Sequence, residues 1–188
     1  MLDDLGFTLT EFPSNNTVYS TFSEFGVGAG LSEPLVIGSS PNTATFEGGS
    51  IVFVAGGNAE VIRSFPHSYA IINGEEATIT FETPVYEIDF FGASVVTTSS
   101  TDPDGSIEVY DTNDNLLTTI INLEGDITPD FKPGFITINA DELGAPGGIN
   151  RLVMKDDPDV NPQFSRTGVD DFGFTPIGAP GTGTTTAP

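Results

Sequence analysis

Apolar residues recur at every second position through most of this chain, and the runs break at Gly, Pro, Asn or Asp. Ala77-Thr78-Ile79-Thr80-Phe81 is the clearest case: Ala77, Ile79 and Phe81 fall on one side, Thr78 and Thr80 on the other. Alternation of this kind marks a strand with one buried face. Comparable runs are Phe7–Phe12, Val18–Phe25, Ile51–Val54, Tyr69–Ile72, Val85–Phe91, Ile107–Tyr110, Leu116–Ile121, Phe135–Ile138, Leu152–Met154 and Val169–Phe174. About ten strands with turn signals every 8–12 residues predict an all-β sandwich or barrel. Asn73-Gly74 is a hairpin signal after Tyr69–Ile72, and Pro84 separates two of the runs. The one short helical candidate, Asp141-Glu142-Leu143, is ended by Gly144. The predicted core comprises Phe53, Ile79, Phe81, Ile88, Phe90, Val109, Phe135, Ile138, Leu152, Val153, Phe172 and Phe174.

Length allows one such domain, predicted over residues 1–175, since the chain has 188 residues. Residues 176–188 are rich in Pro, Gly and Thr, carry no charge, and read as a flexible tail or linker. Twenty-seven Asp and Glu stand against five Lys and Arg, a formal net charge of −22. That field excludes a nucleic-acid partner and attraction to an anionic membrane surface. No apolar run is long enough for a membrane span. The absence of Cys excludes disulfides and thiolate chemistry. Met1-Leu2-Asp3-Asp4 has neither the basic nor the apolar region of a signal peptide. An acidic, Cys-free, Lys-poor composition suits an extracellular or surface-exposed setting.

From Ala77 onward the order of segments resembles a known family. Ala77–Val85 leads into Ile88-Asp89-Phe90. Ile107–Asp111, Asn115-Leu116-Leu117, Gly134-Phe135-Ile136 and Ile149–Leu152 follow, and the series closes on Val169-Asp170-Asp171-Phe172-Gly173-Phe174. This is similar to the jelly-roll domains of exported, PEP-CTERM-type bacterial proteins and to galactose-binding-like and carbohydrate-binding modules. The closing segment is the most specific part, and Met1–Glu76 matches only loosely. The resemblance implies a jelly-roll β-sandwich and often a structural calcium ion, without implying one activity.

Calcium takes 6–8 oxygen ligands. Asp170 and Asp171 are the first candidates. In related jelly rolls an Asp at this point meets acids of the N-terminal strand, which makes Asp3, Asp4 and Glu11 the matching candidates. Strict alternation turns one of Asp170 and Asp171 away from a shared site. A competing reading has Asp170 accepting backbone N–H bonds in a loop. Asp102-Pro103-Asp104-Gly105 and Asp111-x-Asn113-x-Asn115 have ligand-like spacing but read better as hairpin turns. Asp156-Asp157-Pro158-Asp159 reads as a solvated loop. Glu87 and Asp89 share a strand face. Such a pair can serve a glycosidase, but in so acidic a chain it is more simply a solvent-facing or ion-binding strand. His67, the single histidine, reads as an exposed loop residue, with no Gly-x-Ser-x-Gly nearby. Gly26-x-Gly28-x-Gly30 lacks the surrounding βαβ unit of a nucleotide site.

Sugar-binding modules use aromatic platforms. Trp is absent, leaving Tyr19, Tyr69, Tyr86 and Tyr110 as amphipathic rings and Arg63, Arg151 and Arg166 as hydrogen-bonding cations. The expected function is a non-catalytic structural or recognition module, calcium-stabilised, that adheres or binds a glycan or cell-surface ligand. The alternative is a self-assembling subunit, such as a virion-surface or filament protein, whose partners are neighbouring copies.

Overall fold

The computed structural model describes residues 18–30, 32–53, 67–72, 76–95, 105–121, 134–156 and 166–178. Among them are eleven strands and no helix. In chain order these are β1 Val18–Ser20, β2 Leu35–Ser39, β3 Asn42–Glu47, β4 Ser50–Phe53, β5 His67–Ile72 and β6 Glu76–Val95. They continue with β7 Gly105–Asp111, β8 Leu116–Ile121, β9 Gly134–Asn139, β10 Ile149–Asp156 and β11 Arg166–Pro176. The predicted all-β sandwich is therefore observed. The expected strand Phe7–Phe12 lies outside the described residues.

Strand β6 organises the molecule. Its 20 residues would span about 65 Å if straight, whereas a domain of this size has a radius of gyration of only about 16 Å. The strand therefore bends and serves two layers. Its first half pairs with β3 (Phe81 opposite Ala44) and with β10 (Ile79 opposite Leu152). Its second half pairs with β11 (Ile88 opposite Phe174) and with β9 (Ile88 opposite Ile138). One layer therefore runs β2-β3-β6-β10-β7-β8, and the other runs β4-β5-β11-β6-β9 with β1 beside the end of β11. All pairings are antiparallel.

Strand β6 changes phase just after Pro84, between Val85 and Ile88, where its register with β11 slips at Tyr86. Ala77, Ile79, Phe81 and Val85 point into the core before the switch, and Ile88 and Phe90 do so after it. The two runs predicted on either side of Pro84 are one strand, since Pro lacks an N–H but breaks pairing only locally, at a bulge. A second correction concerns Asn73-Gly74. Strand β11 lies between β5 and β6, pairing Ile71 with Thr167 on one side and Ser94 with Thr167 on the other. The hairpin signal therefore joins strands that are not neighbours. The β2–β3 hairpin is an addition to the prediction, with Leu35 opposite Phe46 and Ile37 opposite Ala44. The run Val18–Phe25 is a strand only to Ser20 and then turns, with Phe22 buried in left-handed backbone geometry at φ 58°. Asp141–Gly144 forms a turn rather than a helix.

The core joins the layers through aromatic contacts. Phe46 of β3 meets Phe172 of β11 at 5.1 Å between ring centroids and Tyr69 of β5 at 4.9 Å. Phe81 of β6 meets Phe174 at 5.2 Å. Edge-to-face and tilted pairs at these separations add to the burial of the rings. Ten of the predicted core residues are buried. Phe53 and Phe135 stand in β4 and β9 with side chains outside the described set.

Candidate functional site

The layer β2-β3-β6-β10-β7-β8 buries one face and presents the other. Cross-strand register places Val36, Thr45, Thr80, Arg151, Tyr110 and Leu116 in a single row over six strands. Along β7 the alternation buries Ile107 and Val109 and turns Glu108 and Tyr110 outward. On β10, Arg151 and Lys155 are four residues apart and share that outer face. Thr43, Thr45, Glu47, Glu76, Thr78 and Glu82 fill most of the remainder.

Near the middle of this face four side chains hold one another. The Arg151 guanidinium lies 4.0 Å from the centroid of the Tyr110 ring, a cation–π contact. The Tyr110 hydroxyl donates to Glu108 Oε2 at 2.6 Å. Lys155 Nζ donates to the other oxygen, Glu108 Oε1, at 2.7 Å. Arg151 also pairs with Asp114, a residue held at φ 64° in the β7–β8 turn. These bonds shift the groups as expected. The bonds from Lys155 and then Tyr110 hold the Glu108 carboxyl below the usual carboxylate range. The bond to Glu108 raises the Tyr110 phenol and the Lys155 ammonium. The result is an aromatic ring fixed at its hydroxyl and on one face, flanked by two ion pairs. A ring so fixed loses little side-chain entropy when a ligand packs on it.

The outer face of the second layer carries the other candidates. Register aligns Tyr19, Gly173, Asp89 and Thr137 in one row, and Thr175, Glu87 and Asn139 in the next. Glu87 and Asp89 share this face as predicted, but they differ in exposure. Asp89 is only 1% exposed and accepts a 2.6 Å bond from the Thr137 hydroxyl, while Glu87 is half-buried. Burial and then the neighbouring Asp89 charge push the Glu87 carboxyl up, partly offset by a bond from Asn139. Val85, formally on the same face, points instead into the core because the phase of β6 switches between Val85 and Glu87.

Asp170 and Asp171 are both 1% exposed, contrary to the strict alternation expected of them. A bulge is the cause. The register with β6 slips between Asp170 and Gly173, and Asp171 takes φ 48°. Asp170 Oδ1 accepts the Asp171 N–H at 2.8 Å, the backbone-accepting role considered for it. Asp171 Oδ1 accepts the Tyr19 hydroxyl at 2.7 Å. Asp3, Asp4 and Glu11 lie outside the described residues. Among the described residues no three His, Cys, Asp or Glu side chains are grouped as metal ligands.

The turn Asp111–Asn115 is a hairpin turn, as expected. Asp111 Oδ1 accepts the N–H groups of Asn113 and Asn115, each at 2.8 Å, and Oδ2 accepts Asn115 Nδ2 at 2.9 Å. Asp102, Asp104, Arg63 and residues 157–159 lie outside the described residues, while Asp156, expected in a loop, is the last residue of β10. His67 opens β5 opposite Phe53 and is half-buried, so it is a strand residue rather than an exposed loop residue. The Gly26–Gly30 segment clamps the edge of β4. Gly28 N–H donates to the Ile51 carbonyl at 2.8 Å, and Ile51 N–H donates to the Ala29 carbonyl at 2.8 Å.

Of the four tyrosines, Tyr69 is fully buried and is removed as a sugar platform. Tyr110 and Arg151, both anticipated, are brought together. Glu108, Asp114 and Lys155 were not anticipated. The i, i+2 spacing of Glu108 with Tyr110 and the i, i+4 spacing of Arg151 with Lys155 were available signals, but the cross-strand register that unites them was not.

No protein-family model and no curated protein matches the sequence. Among solved structures the chain is similar to TmCBM61, determined in complex with beta-1,4-galactotriose. That likeness has 12% identity and a TM-score of 0.41, covering 73% of this chain and 89% of that one. It is also similar to the K2 cleaved adhesin domain of Lys-gingipain, at 10% identity and a TM-score of 0.43, over 84% of this chain and 96% of that one. A third is SGBP-B from a complex xyloglucan utilization locus in Bacteroides uniformis, at 16% identity and a TM-score of 0.39, over 77% and 55%.

Proposed function

We propose that this domain is a non-catalytic, extracellular recognition module that binds a glycan on the outer face of β10 and β7. The observation that carries the reading is the braced ring of Tyr110, held by Glu108 and Arg151 on a face otherwise rich in Thr and Glu. A sugar ring offers C–H groups to an aromatic face and hydroxyls that both donate and accept. Tyr110 serves the first and the flanking ion pairs the second. The reading as a non-catalytic module is supported by Glu87 and Asp89. Acid–base work needs both groups within reach of substrate, whereas Asp89 is buried and bonded to Thr137.

A structural calcium ion at the β11 bulge is part of this proposal. Its support is the burial of two carboxylates, Asp170 and Asp171, side by side in a chain of net charge −22. Asp3, Asp4 and Glu11 are the residues that would complete the ligand set. The ion would stabilise the fold by neutralising charge there.

Glycan-array binding followed by titration calorimetry tests the main reading. The folded chain should retain at least one glycan class. Tyr110→Ala and Arg151→Ala should each weaken that binding by about tenfold, the scale of one lost charged or aromatic contact. Their melting temperatures should stay near that of the parent. Failure of the folded parent to bind any glycan refutes the reading.

A further inference from the structure

Resting on that glycan reading, we infer that the face selects uncharged glycans and rejects those bearing uronate or sulfate groups. The argument is one of charge and occupancy. Among the described residues, the outer face of the layer β2-β3-β6-β10-β7-β8 has two cations, Arg151 and Lys155, and four glutamates, Glu47, Glu76, Glu82 and Glu108. Neither cation is available to neutralise an incoming anion, since Arg151 is paired with Asp114 and Lys155 with Glu108. Glu82 accepts hydroxyl bonds from Ser40 and Thr43, at 2.7 and 2.9 Å, so the side chains bonded to it are neutral. A carboxylate or sulfate docking at Tyr110 would have to displace a protein carboxylate from its cation and leave that carboxylate unpaired. It would also meet the unbalanced glutamates of the face and the net charge of −22 beyond them.

An uncharged sugar meets no such penalty. Adjacent hydroxyls on one ring can donate to a carboxylate and accept from the paired cation, and both ion pairs offer that combination without being broken. Selection against anions is thus built from the carboxylates that hold the cations, and selectivity of this kind comes from the repulsive partner as much as from the attractive one.

The test uses the full chain and two probe sets. One holds neutral polysaccharides (a β-glucan, a galactan, a xylan), and the other holds polygalacturonate, alginate and heparin. The expected result is retention of at least one neutral probe and of none of the anionic ones. Affinity for the neutral probe should change by less than about twofold between about 0.05 M and 0.5 M NaCl, because no net charge is exchanged. In the double variant Glu108→Gln, Asp114→Asn both cations are released. Binding of the neutral probe should fall by about tenfold, and a salt-sensitive affinity for polygalacturonate should appear. Parent protein that prefers an anionic probe, with affinity falling steeply in salt, overturns the inference and leaves glycan binding standing. Parent protein that is folded by its melting curve yet binds neither set overturns the glycan reading itself, and this inference with it.

Discussion

Tyr69 shows how a single residue reconciles a polar group with the core. Its ring is fully buried against Phe46 and Phe22, while its hydroxyl oxygen accepts the Gly49 N–H at 2.9 Å. Burial is the main cause that pushes its phenol up to about 12, the bond from Gly49 working in the opposite sense. The unfolded phenol ionises near about 10. The folded state therefore holds the proton more tightly, and the stability tied to it is complete below that value and declines as pH climbs toward about 12. Absorbance titration should show a late phenolate that Tyr69→Phe removes while the raised Tyr110 phenol remains, and the melting temperature should fall across the same window. The backbone approach at Gly49 is equally specific, because a Cβ there would lie 2.7 Å from Tyr69 Cζ and 2.9 Å from the Ala70 carbonyl oxygen. Gly49→Ala should destabilise by about 1–3 kcal/mol, the usual cost of overpacking, as read by chemical denaturation.

Among the elements, the β7–β8 hairpin links the fold to the site. Its turn holds Asp114, which positions Arg151 over Tyr110, and the turn itself is organised by Asp111. The bonds from the Asn115 side chain and backbone, with those from Asn113, hold the Asp111 carboxyl below its ordinary range. A depressed carboxylate stabilises the fold above its unfolded pKa, and that contribution is lost as pH falls through the folded value. Asp111→Ala should therefore lower the melting temperature at neutral pH, and the gap to the parent should close in strong acid. The same variant should weaken glycan binding through Arg151 while leaving the Tyr69 titration unmoved. Strand β6 illustrates a different point. Its continuity through Pro84 depends on the bend between layers, where β10 and β11 flank it at Val85.

At the scale of the whole molecule, charge governs the response to ions. With −22 spread over 188 residues, any divalent cation relieves self-repulsion to some degree. A specific site adds to this by binding the native state alone. The calcium proposal therefore predicts a larger rise in melting temperature with millimolar calcium than with magnesium at equal ionic strength. Asp170→Asn with Asp171→Asn should remove the excess and leave the common part. Equal shifts with the two ions, or an excess that survives the double variant, would place the effect in general screening.

Alternation along Ala77–Phe81, Ile107–Tyr110 and Phe172–Phe174 was enough to determine the all-β class and most of the core, because which face of a strand is buried is a local property of period two. Composition was enough to exclude thiol chemistry, because the chain has no Cys. The hairpin turn at Asp111 was legible for the same local reason, since a short Asp side chain folds back on N–H groups two and four residues ahead. Pairing between distant segments was not legible. The placement of β11 between β5 and β6, against the Asn73-Gly74 signal, depends on contacts nearly a hundred residues apart. The union of Tyr110 with Arg151, and of Glu108 with Lys155, depends on the register of β7 against β10. The burial of both Asp170 and Asp171 depends on a bulge, and a one-residue slip of register reverses which face a side chain occupies. Faces are written along the chain, but neighbours across a sheet are chosen only when the layers close over a common core.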